Sequence, residues 1–131
     1  MKHENPYKEA MRYIDNARED LKLAGREDKY YVDEKYVKSA CGIAYLAVLK
    51  ALDGILELNN ISKPRKTRVD ITFYQKNLAN SDNKLLHALN NAYEILHLSG
   101  YYDGITSVKI INDGFEEAMN VITKIKPHLK N

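Results

Sequence analysis

The chain has 131 residues, of which 44% are hydrophobic and 29% charged, proportions that fit one globular domain and exclude a disordered one. A formal net charge of +2 gives the whole chain no strong attraction to nucleic acid or to an anionic membrane. The charged start has no apolar stretch behind it, and the longest uncharged run, 39–49, is shorter than the ~20 residues that cross a bilayer. We therefore expect a cytoplasmic protein with one domain over residues 1–131.

The first two segments carry apolar stripes typical of helices. Their apolar residues recur at steps of three and four, which places them on one face of a helix. The first stripe is Tyr7, Ala10, Ile14, Ala17, Leu21 and Ala24, and the second is Val37, Cys41, Ala44, Val48, Ala51 and Ile55. Asn5 and Asp33 are suited to cap these helices. Pro6 suits the first helical position and Gly25 the end of the first helix.

The second helix has further apolar side chains beside its stripe. These are Ile43, Leu46, Ala47, Leu49 and Leu52. A helix that is apolar on several faces is either surrounded by other helices or lies at a subunit interface. We interpret it as the central helix of the fold. We also expect a homodimer, because spare apolar surface must be covered.

The rest of the chain predicts one short helix and two long ones. The short helix is expected from Val69 to Ala79, with Phe73 and Tyr74 as its anchors. The fourth segment has its stripe at Leu85, Leu89, Ala92 and Leu96. Ser81 or Asp82 is expected to cap this helix, and Gly100 to end it.

The fifth segment has a regular stripe of six residues. Its members are Val108, Ile111, Phe115, Ala118, Ile122 and Ile125. Asp103 is expected to cap this helix, Gly114 to lie within it and Pro127 to end it. No segment alternates with the period of a strand. The sequence therefore predicts an all-α, antiparallel up-and-down bundle of four long helices plus one short helix.

Two segments resemble a known family. The run 36–52 reads Tyr-Val-Lys-Ser-Ala-Cys-Gly-Ile-Ala-Tyr-Leu-Ala-Val-Leu-Lys-Ala-Leu, and the run 101–104 reads Tyr-Tyr-Asp-Gly before a long amphipathic helix. This pattern is similar to HEPN domains, small helical bundles found beside minimal nucleotidyltransferases and in toxin–antitoxin systems. The resemblance implies an interaction or binding module that acts with a partner protein, such as a nucleotidyltransferase-type enzyme, or with a nucleotide.

The nuclease role of some HEPN domains does not carry over to this chain. Those members have an arginine followed after four to six residues by a histidine. Here the last arginine, Arg68, lies well before His87, His97 and His128, so no residue inherits that role. The Gly-Ser motif and carboxylates of a nucleotidyltransferase are also absent from the sequence. We assign no catalytic residue.

The run 63–68 places four cations within six residues of an expected loop: Lys63, Arg65, Lys66 and Arg68. Such a cluster can contact the phosphates of a nucleotide or of RNA. It can equally be a solvated loop near the end of the second helix, where positive charge is favourable.

The other titratable residues point to no metal or cofactor. His87 and His97 are separated by about 280° around an α-helix, so they do not face one ligand. Cys41 lies on the core stripe and is expected to be a buried, inert thiol. We expect no metal site and no cofactor.

Two tyrosine pairs lie outside the stripes, Tyr30 with Tyr31 and Tyr101 with Tyr102. They can line a pocket at one end of the bundle, form a dimer contact, or plug the bundle end.

Three functions follow from these observations. The first is a non-catalytic, HEPN-like binding module, the second an RNA-directed protein using the basic loop, and the third an enzyme with a site at the tyrosine-rich end.

Overall fold

The computed structural model describes residues 5–61 and 70–125. It confirms an all-α bundle. In chain order its elements are α1 (Pro6–Leu23), β1 (Arg26–Glu27), β2 (Tyr30–Tyr31), α2 (Glu34–Leu58), α3 (Ile71–Leu78), α4 (Asn83–Ala92), a π-helical segment (Tyr93–Tyr102) and α5 (Val108–Ile125). The basic run 63–68, the expected helix start at Val69 and the expected stop at Pro127 lie outside the described residues.

The predicted ends of the first helix and the start of the second are confirmed. Asn5 Oδ1 accepts hydrogen bonds from the backbone N–H groups of Tyr7 and Lys8, at 2.9 and 3.1 Å. Gly25 follows the end of α1 with a φ of +71°, a conformation that glycine adopts without strain. Asp33 Oδ1 accepts from the N–H of Lys35 at 3.0 Å and so caps α2.

A short hairpin between α1 and α2 was not predicted. β1 and β2 pair antiparallel, with Arg26 opposite Tyr31 and Glu27 opposite Tyr30. The hairpin is attached to the segment before α5, because the Tyr31 N–H donates to the carbonyl of Thr106 at 2.9 Å. Strands of two residues are too short to show an alternating pattern, so the sequence has no sign of them.

Helix α2 is the central helix, as predicted. It packs against α1, the π-helical segment and α5. Its buried residues are Val37, Ala40, Cys41, Ala44, Tyr45, Ala47, Val48, Ala51, Leu52, Gly54 and Leu56. By length and hydropathy alone this helix could cross a membrane, but 56% of its most apolar stretch is buried inside the bundle. Most of its apolar surface is therefore covered by the chain itself.

Two expectations for the second half of the chain are wrong. The fourth helix does not end at Gly100. At Ala92, α4 continues without a break into the π-helical segment, and that segment ends at Tyr102. Asp103 does not cap α5: it follows the π-helical segment, and α5 begins five residues later, where Ser107 Oγ accepts from the Ile110 N–H at 3.3 Å. Gly114 lies inside α5, as predicted.

The π-helical segment lies very close to α2 because glycines meet bulkier residues at two points. A methyl group built on Gly100 would collide with Cys41, whose Cβ lies 2.7 Å from that position. A methyl group on Gly42 would lie 2.9 Å from Cδ1 of Tyr101. Both contacts are tighter than any side chain allows, so glycine at 42 and 100 sets the distance between these two elements.

Replacing Gly100 with alanine tests this close approach. We expect Gly100→Ala to lower the free energy of unfolding by about 1–3 kcal/mol, because the added methyl group overpacks the contact with Cys41. Urea denaturation followed by circular dichroism measures the change. In a Cys41→Gly background the same substitution should cost less, because the colliding atoms are gone. An equal loss in both backgrounds would show that the two residues do not limit the approach.

Candidate functional site

A groove of about 840 Å³ lies where α2, the start of α3 and the π-helical segment meet. We call it the aromatic groove. Its lining is mostly aromatic and apolar, with one carboxylate. The lining residues are Gly42, Tyr45, Leu46, Leu49, Asp70, Ile71, Thr72, Tyr74, Tyr93, His97, Tyr101 and Tyr102.

The rings of the groove form a continuous series centred on His97. Its imidazole stacks on Tyr93 and Tyr101, with ring centroids 5.2 and 5.9 Å apart, and meets Tyr102 edge to face at 5.0 Å. Tyr45, from α2, lies 4.9 Å from His97 and 5.9 Å from Tyr93. Aromatic pairs at these distances attract each other beyond the simple burial of area. His97 is thus held by rings on several sides.

The π-helical backbone explains why these rings share one side. A π-helix has about 4.4 residues per turn, so Tyr101 and Tyr102 lie within about 50° of His97 around the axis. In an α-helix Tyr102 would be displaced from His97 by about 140°. The wider turn therefore brings both tyrosines to the groove, where an α-helix would bring only Tyr101.

Burial controls protonation inside the groove. It lowers the pKa of His97, so the imidazole is neutral at pH 7. The pKa of Tyr45 is raised, mainly by burial and also by Tyr93 and Asp70. Burial raises the pKa of Tyr74 as well, and its hydroxyl donates to Asp53 Oδ1 at 2.8 Å. Both phenols keep their protons and can act as hydrogen-bond donors.

The four tyrosines singled out from the sequence are divided between two places. Tyr101 and Tyr102 line the aromatic groove and are 45% and 62% exposed. Tyr30 is 57% exposed and lines a separate cavity of about 590 Å³ with residues of α5. Tyr31 is half-buried, and burial raises its pKa. The two pairs therefore do not build one pocket.

The other candidates lie apart from the groove. His87 lines a cavity of about 590 Å³ between α4 and α5, so the two histidines do not face one ligand. Cys41 is fully buried, and burial raises its pKa to about 12, as suits an inert thiol. Within residues 5–61 and 70–125 no three metal-ligating side chains converge. Lys63, Arg65, Lys66 and Arg68 lie outside the described residues.

Sequence reasoning missed several groove residues. Tyr45 and Tyr93 were not singled out, and Asp70 and Thr72 belong to a helix that the sequence places only roughly. The one visible sign was the spacing of Tyr93, His97 and Tyr101, four residues apart, which aligns rings along one side of a helix.

The comparisons with known proteins give a family but no activity. A solved structure of a protein of unknown function from Dyadobacter fermentans is similar, with a TM-score of 0.86 and 37% sequence identity. The match covers 98% of this chain and 100% of that one. No curated protein matches the chain. The family described as domain of unknown function (DUF5618) matches residues 5–127, and the chain belongs to that family.

Proposed function

We propose that this chain is a non-catalytic, HEPN-like binding module whose aromatic groove holds a flat ring of a small ligand. The observation that carries the proposal is the series of rings around His97, from Tyr45 to Tyr102. Small-molecule sites are typically 300–1,000 Å³ clefts with apolar and aromatic walls and a few polar groups. The groove, at about 840 Å³, has that size and that kind of lining.

Binding is favoured over catalysis by the surroundings of His97. A histidine that acts as a general base is usually oriented by a hydrogen bond from its second nitrogen to a third group. Among the residues that the structure describes, the neighbours of His97 are rings, and no side chain donates to or accepts from its imidazole. An enzyme with its site at the tyrosine-rich end is therefore the weaker alternative.

The partner and the nucleic acid remain proposals from the sequence. A partner protein of the nucleotidyltransferase type is proposed from the HEPN resemblance. An all-α bundle is compatible with that resemblance. A nucleotide would place its base on the rings, but no lysine or arginine is among the described lining residues. Phosphate or RNA binding would therefore depend on the basic run 63–68.

Binding of a neutral ring tests the proposed function directly. We expect benzamide and adenosine to shift the NMR signals of His97 and Tyr102, because a flat ring stacks on the exposed aromatic faces. Tyr102→Ala should weaken this binding several-fold. Tyr30→Ala is the matched control, since Tyr30 is similarly exposed (57% against 62%) but lines another cavity. Equal effects of both variants would exclude the groove as the site.

The homodimer is tested on the apolar surface that α2 leaves exposed. Leu46 is 49% exposed, beside the half-buried Ile43 and Leu49, and both leucines also line the aromatic groove, so a dimer formed here would cover part of it. If this surface joins two copies, Leu46→Glu should shift sedimentation equilibrium toward the monomer, because a carboxylate is costly to bury. Leu58→Glu is the control, on the same helix and 50% exposed. A strictly monomeric parent protein would refute the dimer.

The lowered pKa of His97 predicts how stability depends on pH. The unfolded chain takes up a proton on this residue near pH 6.5, whereas the folded chain does so only at lower pH. The free energy of unfolding should therefore fall as the pH drops from 7.5 to 5. His97→Gln should reduce this fall, as measured by urea denaturation at both pH values. His87→Gln controls for the loss of a histidine elsewhere, and an unchanged pH dependence in His97→Gln would contradict the prediction.

A further inference from the structure

The lining of the aromatic groove has polar groups as well as rings. The polar groups are the carboxylate of Asp70, Thr72 and the hydroxyls of Tyr45 and Tyr74, of which the Tyr74 hydroxyl donates to the Asp53 carboxylate. Tyr101 and Tyr102 are exposed rings of the same lining. A ligand in the groove would therefore meet both hydrogen-bonding groups and ring faces.

Asp70 supplies a negative charge to the lining of the groove. Its Oδ1 accepts hydrogen bonds from the N–H and the hydroxyl of Thr72. Asp70 thereby caps the start of α3. These hydrogen bonds lower the pKa of Asp70, so the carboxylate is ionised at pH 7. The carboxylate lines the groove, where it can accept a hydrogen bond from a ligand.

No positive charge among the described lining residues balances this carboxylate. The lining has neither lysine nor arginine, and the imidazole of His97 is neutral at pH 7. The faces of tyrosine rings carry negative electrostatic potential and attract cations. Among the described lining residues an anion would meet a carboxylate and no cation, whereas a cation would be attracted by the carboxylate and by the rings.

We propose that the ligand of the aromatic groove is a small molecule with a planar cationic group, of the amidinium or guanidinium kind. The cation donates to the carboxylate of Asp70, and the flat body of the molecule stacks on Tyr101 and Tyr102. This inference depends on the proposed function, because it specifies the charge of the ring that the groove holds. The size of the groove favours a small molecule over a folded partner.

Three probes of nearly the same shape test the charge. Benzamidine, benzamide and benzoate are flat rings whose charges are +1, 0 and −1. We expect the NMR shifts at His97 and Tyr102 to saturate at the lowest concentration with benzamidine and the highest with benzoate. The dissociation constants of benzamidine and benzoate should differ on the order of tenfold or more. The amidinium forms a hydrogen bond between two opposite charges with Asp70, whereas the carboxylate of benzoate has the same charge as Asp70.

Asp70→Asn tests the proposed contact without removing the cap of α3, since asparagine caps helices as well as aspartate does. This variant should lose the preference for benzamidine over benzamide. Asp113→Asn, which removes an exposed carboxylate from the cavity of Tyr30, should keep it.

The outcomes separate the two proposals. Equal binding of all three probes, tighter binding of benzoate, or a preference that survives in Asp70→Asn would overturn the cationic ligand and leave the ring-binding groove standing. Shifts at neither His97 nor Tyr102 with any of the probes would overturn both.

Discussion

The close approach of α2 and the π-helical segment is the contact on which the rest of the structure depends. It requires two glycines, Gly42 under the ring of Tyr101 and Gly100 against Cys41. Because the backbones are so near, Tyr45 of α2 reaches the rings of Tyr93 and His97 across the boundary. A methyl group at Gly100 would meet the Cβ of Cys41 and one at Gly42 the ring of Tyr101, so either substitution forces a shift at this contact. The same contact therefore belongs both to the packing of the core and to the wall of the groove.

The π-helical turn adds a second constraint. It determines the directions of the side chains around this segment, and not the distance of the segment from α2. Ten residues bonded in this way are unusual, since π-helical geometry is mostly limited to single turns and is often found at functional sites. The wider turn keeps Leu96 and Gly100 buried while it directs Tyr101 and Tyr102 outward beside His97. One stretch of backbone thus contributes to the core on one side and to the groove on the other.

The sequence predicts the fold much better than the site, for a physical reason. Helix positions follow from apolar periodicity and capping residues, and Asn5, Asp33 and Asp82 cap the helices as expected. The groove depends on backbone bonding that shifts residues away from α-helical spacing, so α-helical angles misplace Tyr102. It also depends on Asp70 lying in the same groove as residues of α2, which no local pattern encodes. The central helix, by contrast, was recognisable because its apolar excess must be buried somewhere.

The exposed rings of the groove contribute less to the stability of the fold than the buried core residues do. Tyr101 and Tyr102 are 45% and 62% exposed, so they add less to the buried core than Leu96, which is fully buried beside them. Aromatic surface left in water is unfavourable by about 25 cal/mol per Å², so covering ~100 Å² of it would contribute about 2.5 kcal/mol to the binding of a ligand. The ligand that we propose would cover these rings, and the neutral imidazole and the ionised Asp70 in the same groove would restrict its charge.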